Sequence, residues 1–422
     1  MKWVLALAAS LAALLGLLAA RDGSSVSGDG AHAPRHSRPN GACTATVASI
    51  RNLDSALRPG AVVCLSGGEY AVPEDRAACG EEVSCLKVTA SPSSKATLTA
   101  APGAHVVING PVLLAGSHLT VSQLHVKGLL AVWNPSSNAA YSDDTLEHNE
   151  VYQTGDFGMM VSANPDALSS FITLAYNSIH GTSKTQQGDA IRLQYFSHVS
   201  IIGNEEYDIG EGPGCVEGEV DHCHTDTLQT QATSSKGDIP TEGLTIEKNY
   251  IHDTAGAQGF PFLKDGDIGN VTIRDNLAVR VNQSVKAIVT GIAADENSHN
   301  LVIEKNTYWG SGQGGPGGSF VQSWGEASSP TVTIRRNVLT EINVKASAGH
   351  PAYAVGQSEN IFRFRPYTFR PLKSRIGTPL FRCRPHCGEQ HTAAHDDYEL
   401  KHNRYGAGID WNPGTQRYGP SH

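Results

Sequence analysis

The chain has 422 residues, 44 of them glycine, with 17% charged residues and a net charge of −9. That composition excludes a disordered or predominantly helical protein and points to ordered structure rich in turns and strands. An acidic balance with a pI near 6.0 excludes the global basic field that would draw a chain onto nucleic acid.

Lys2 precedes an apolar run over residues 3–18, and the small residues Ala19 and Ala20 follow it. This is the layout of a secretory signal peptide over residues 1–20, although Leu18 at the expected −3 position departs from the small-residue rule. The mature chain is expected to be extracellular, monomeric and without a membrane span. Residues 21–40, rich in Gly, Ser, His and Pro, read as a flexible leader. The eight cysteines fall as Cys43 and Cys64, Cys79 and Cys85, Cys215 and Cys223, and Cys383 and Cys387. An even count in an exported chain predicts disulfides between these neighbours, with zinc as the alternative reading of the Cys383/Cys387 spacing.

From about residue 145 to residue 340 one pattern recurs: apolar, any, Ile or Leu, any, any, Asn, any, apolar. Its asparagines are Asn149, Asn177, Asn204, Asn249, Asn276, Asn306 and Asn337, spaced 28, 27, 45, 27, 30 and 31 residues apart. Repeats of this length predict a solenoid, and short alternating strands without a 3.6-residue period make it a β-solenoid. Asparagine suits a corner because it tolerates left-handed backbone and can stack as an amide ladder. These asparagines are read as structural.

On these repeats the chain resembles the right-handed parallel β-helix proteins of the pectate-lyase-like superfamily. The resemblance implies an all-β, single-stranded solenoid over residues 41–345, with residues 346–422 as a C-terminal cap or tail. Residues 62–65 and 104–109 look like N-terminal coils, and an amphipathic piece over 47–57 fits the helix that usually caps such a solenoid. Proteins of this superfamily mostly act on polysaccharides, which implies a polysaccharide partner.

The 45-residue spacing between Asn204 and Asn249 exceeds its neighbours by 18. Aligning Asp189 with Asp226 puts ten extra residues before the strand that follows Asp226 and eight after it. Long loops therefore frame one strand, and loops on a rigid scaffold are where function is usually placed. That strand opens with Asp221, His222, Cys223, His224, Thr225 and Asp226, and continues through Leu228 to Gln229 and Gln231. The loop before it, residues 205–226, carries eight carboxylates and no Lys or Arg. It reads as a solvated acidic loop stapled by Cys215–Cys223, with Glu219 and Asp221 as candidate ligands for Ca²⁺, the hard cation that suits clustered carboxylates.

If Ile191 and Leu193 point inward, alternation turns Arg192 and Gln194 outward, and Gln229 and Gln231 outward on the next coil. Equal 27-residue coils then align Lys264 with Arg192, which predicts an outward column of Arg192, Gln229 and Lys264. Strict parity turns Asp226 inward with Leu228, so it is expected at the corner or bonded to loop backbone. β-Elimination from a uronate needs a cation on the C6 carboxylate, a base for the C5 proton and an acid for the leaving oxygen. Arg192 and Lys264, with Ca²⁺ if bound, supply the first, and His222, His224 or Lys264 the base. Asp221-His222 resembles the Asp-His pair of pectate lyases, but the preceding tryptophan and the Arg-x-Pro-x-x-Arg element of that family are absent. A glycoside hydrolase using Asp189, Asp221 and Asp226, a C5 epimerase sharing the lyase machinery, and a non-catalytic glycan-binding protein are the rival readings.

Overall fold

The computed structural model describes residues 42–51, 53–74, 79, 84–137, 139–182, 187–210, 224–234, 237–252, 254, 259–263, 267–279, 291–294, 299–309, 320–323, 331–335, 337–339, 341–344, 354–358, 361–362, 409–412 and 417–420. Residues 1–40, with the expected signal peptide and leader, lie outside them, as do Cys215, Cys223, Cys383 and Cys387.

Among the described residues the strands gather into three parallel sheets of thirteen, eleven and ten strands, here sheets 1, 2 and 3. The chain visits them in that order and returns to sheet 1 one step along the axis. One full turn runs through Ser169–Ala175 in sheet 1, Ser178–His180 in sheet 2, Gln187–Gln194 in sheet 3 and back to Phe196–Ile202 in sheet 1. This is the right-handed parallel β-helix that the repeats predict.

The Ile/Leu position of the repeat forms one interior column: Leu146, Leu174, Ile201, Ile246, Ile273 and Ile303 are in register along sheet 1. All are essentially fully buried, each contributing roughly 1.5–3 kcal/mol by removal from water. At the corner that follows, the asparagines build the expected ladder. The backbone N–H and the Nδ2 of Asn177 both donate to Oδ1 of Asn204, at 2.9 and 3.0 Å, while Nδ2 also donates to the Leu146 carbonyl at 2.8 Å. The same amide-to-amide contact repeats from Asn149 to Asn337.

One part of the sequence argument is corrected here. The left-handed residue is the one before the asparagine: His148, Tyr176, Gly203, Lys248, Asp275 and Lys305 all have φ between 55° and 64°. The asparagine is selected by its hydrogen-bonding reach and not by its own dihedral. Gly203 has a second reason to be glycine, since a Cβ there would lie 2.6 Å from the Tyr176 ring.

Further corrections concern the ends and the acidic run. The cap helix is only Leu53–Ala56, with Val47 already in a strand, yet Ile50, Leu53 and Leu57 close the core as a cap should. The coils continue past residue 345, because Ala354–Ser358 and Ile361–Phe362 pair with Thr331–Arg335 and Val338–Leu339. Glu205–Tyr207 is a strand of sheet 2 and not the start of a solvated loop. Glu206 stands in the interior column Val126, Val151, Ile179, Glu206, Ile251, Ala278 and is fully buried. Neither of its carboxyl oxygens has a hydrogen-bond partner among the described residues, and burial pushes its pKa well above the usual carboxylate value.

The outer face of sheet 2 is also ordered. Tyr152, His180, Tyr207 and His252 stack ring on ring at 4.7–5.6 Å. Beside them Glu150 accepts hydrogen bonds from His125 Nδ1 and from His180 Nε2, the latter at 2.9 Å. The first four cysteines pair as neighbours, Cys43–Cys64 and Cys79–Cys85.

Candidate active site

Sheet 3 carries the strand that the long insertion frames. Met159–Val161, Gln187–Gln194, His224–Gln231 and Gly259–Leu263 lie side by side. Register sets Leu193 beside Val161 and Thr230, and Arg192 beside Met160 and Gln229. Ile191, Leu193 and Leu228 are buried in the core, so alternation turns Arg192, Gln194, Gln229 and Gln231 to the outer face, as expected.

Their hydrogen bonds fix one another. Arg192 can only donate, and its Nη1 lies 2.9 Å from Gln231 Oε1. Gln194 Nε2 donates to the same oxygen at 2.9 Å, which turns Gln194 Oε1 toward Ser162, whose hydroxyl donates to it at 3.2 Å. Arg192 Nε donates to the Asp189 carboxylate, and the guanidinium lies over the Phe157 ring, 5.1 Å from its centroid. The second Asp189 oxygen accepts the Asp226 backbone N–H at 2.9 Å. The result is a braced donor surface. Among the described residues, Arg192 Nη2 and Gln231 Nε2 make no hydrogen bond within the protein, and both side chains keep partial exposure.

Beside Asp189 the preceding coil comes very close to the strand Gln187–Gln194. A Cβ on Gly188 would lie 2.3 Å from the Asp156 carbonyl oxygen, so only glycine fits there. Gly158 N–H donates to the Asp189 carbonyl at 3.0 Å, tying the preceding coil to this strand. Asp189 and Asp226 are paired in register and both fully buried. A buried Asp–Arg pair is costly to break because removal of one partner leaves an uncompensated charge.

Sequence reasoning expected Gln229 as an exposed ligand and Lys264 beside it. Gln229 is instead buried, at 2% exposure. Its partner on the following strand is Phe262, so the column reads Met160, Arg192, Gln229, Phe262. The coils have equal length, but Phe262 stands 13 residues after Asn249 where Arg192 stands 15 after Asn177. Lys264 itself lies outside the described residues, as do His222, Glu219 and Asp221. His224 opens its strand opposite Gln187, with only its backbone described. Among the described residues no group of three His, Cys, Asp or Glu side chains is placed to hold a metal ion. Asp226 is buried within the strand, paired with Asp189, and not in the corner before it as one expectation had it. Ser162 and Phe157 were not singled out from sequence, and a polar residue after an apolar strand gives no signal for them.

No family model matches the chain, and no curated protein matches it. Among solved structures it is similar to an alginate lyase from Paenibacillus sp. str. FPU-7, at 16% identity and TM-score 0.44 over 75% of this chain and 99% of that one. It is similar to pectate lyase Pel9A at 13% identity and TM-score 0.38, covering 72% of each chain. A third is the A-module of the mannuronan C-5 epimerase AlgE6 from Azotobacter vinelandii, at 12% identity and TM-score 0.40 over 72% of this chain and 91% of that one. These neighbours are polysaccharide-active proteins. No helix among the described residues is long and apolar enough to cross a membrane.

Proposed function

We propose that the chain is a secreted polysaccharide lyase that cleaves a uronate-containing glycan by β-elimination on the outer face of sheet 3. The observation that supports this best is the pair of uncommitted donors, Arg192 Nη2 and Gln231 Nε2, on a network whose other bonds are already satisfied. Charge-assisted donors held in fixed geometry suit a planar carboxylate. In this reading they hold the C6 carboxylate of the sugar, while Gln194 and Gln229 support the surface around them. Withdrawal of electron density by the bound guanidinium acidifies the C5 proton. A base from His222, His224 or Lys264 takes that proton, the C4–O bond breaks as the C4=C5 double bond forms, and the leaving oxygen is protonated.

Ca²⁺ on Glu219 and Asp221 would add a second charge on the carboxylate. It remains a proposal of the acidic insert, tested by whether chelation changes turnover. The hydrolase reading fares less well: Asp226 is fully buried, and Asp189 is committed to Arg192 and to the Asp226 N–H. Two disulfides and the N-terminal apolar run support export.

The test is the product formed from a panel of acidic and neutral polysaccharides. A lyase leaves an unsaturated uronate that absorbs in the short-wavelength ultraviolet, and His224→Ala and Lys264→Ala should each lower its formation about a hundredfold or more. New reducing ends without the chromophore, or near-wild-type turnover in both variants, would refute the assignment.

A further inference from the structure

The outer face of sheet 3 does not end at the polar network. Val132, Val161, Leu193 and Thr230 are in register, so the residues that follow them, Trp133, Ser162, Gln194 and Gln231, stand in one outward row. The last three are joined by hydrogen bonds. Trp133 heads the row just past the end of the strand Leu130–Val132, its N–H donating to the Leu114 carbonyl at 3.0 Å.

Its support is specific. Trp133 packs on an apolar cluster outside the solenoid, formed by Leu113, Ala131 and Met160 and closed by the Cys79–Cys85 loop. Phe157 belongs to the same cluster, but its ring lies beneath the Arg192 guanidinium. The chain after Trp133 is fixed by a turn in which Asn134 bonds Ser136 and Ser137, and Lys87 Nζ donates to Ser136 at 2.9 Å. The indole is thus supported by this cluster and still only partly buried.

We infer that Trp133 is a sugar-stacking subsite that extends the uronate-binding row toward the N-terminal end of the solenoid. This rests on the reading of Arg192 and Gln231 as the carboxylate site and adds to it a preference for chain length. Each strand step is about 4.8 Å, so Trp133 lies three steps, roughly 14 Å, from Gln231. One step is close to the length of one sugar residue in an extended chain. A glycan laid along the row with one carboxylate at Gln231 therefore brings a ring about three residues away over Trp133. The apolar C–H face of that ring would cover the indole, while the partly exposed amide of Gln194 lies in the row between them. An aromatic surface with a polar margin is the usual way a protein takes such an amphipathic ring.

The experiment compares wild type, Trp133→Ala and Trp133→Phe on a uronate disaccharide and the corresponding hexasaccharide, with turnover followed by the unsaturated chromophore and binding by calorimetry. Trp133→Ala is expected to raise KM and Kd for the hexasaccharide about tenfold, to leave the disaccharide and kcat unchanged, and to be largely rescued by Trp133→Phe, with thermal melts showing all three folded. If wild type cleaves both substrates and Trp133→Ala alters neither or both alike, the subsite is refuted while the lyase reading stands. If the hexasaccharide binds, Trp133→Ala weakens it and no chromophore appears, the lyase reading falls and the subsite survives. Absence of any binding to wild type overturns both.

Discussion

Glu206 is a carboxyl in an interior column of aliphatic residues, in register between Ile179 and Ile251, and it makes no hydrogen bond among the described residues. Burial raises its pKa well above the ordinary 4.5, so the folded chain keeps this proton to a higher pH than the unfolded chain does. Stability linked to the group is therefore full below the unfolded value and is lost as pH rises toward the folded one. The loss is at most about 1.4 kcal/mol per pH unit, a ceiling of roughly 3.4 kcal/mol between pH 4.5 and 7. Glu206→Gln removes the titration but keeps a buried polar head. It should match wild type near pH 4 and exceed it increasingly toward pH 7. Glu206→Leu also removes the unpaired polar group, worth about 1–3 kcal/mol, and should be the more stable protein at every pH. Denaturant melts of the three proteins from pH 4 to pH 8 make the comparison. A wild-type-to-Gln difference that does not vary with pH would show that the carboxyl has a partner, and the reasoning would fail.

Removing one rung of the amide ladder, Asn204→Ala, orphans the Asn177 N–H, an Asn177 Nδ2 hydrogen and the Leu174 carbonyl, all inside the fold. It should cost about 3 kcal/mol or more in a denaturant melt, and a cost below 1 kcal/mol would deny the ladder its structural role. On sheet 2, hydrogen bonds from His125 and His180 hold the Glu150 carboxyl far below its usual pKa. The stability this brings is present above pH 4.5 and lost as pH falls. Glu150→Gln should therefore melt earlier than wild type at pH 6, by about 1 kcal/mol, with the gap closing on acidification. An unchanging gap would contradict the assignment.

The solenoid was legible because its period is written twice, in the asparagines and in the aliphatic residue three places before each of them. Alternation around Ile191 and Leu193 was enough to put Arg192, Gln194 and Gln231 on one face. What it could not supply was the depth of each side chain on that face, so Gln229 was read as exposed. The pairing of Phe262 with Gln229 holds a similar lesson: equal spacing between asparagines fixes the length of a coil but not where its strand begins. Alternation carries no sign that the buried Asp189 bonds the Arg192 guanidinium three residues on. Glu206 was hidden by composition, since a run of acidic residues reads as loop whichever of them is buried.

The ladder joins asparagines 27 and 45 residues apart with the same bonds. It therefore constrains where the chain returns and not what it does in between. Each interval between two rungs behaves as a cassette. Its length can grow by insertion at the turns beside sheet 3 while the seam on the opposite corner keeps count. New recognition loops can thus be acquired one coil at a time, without renegotiating the interior of the coils above or below.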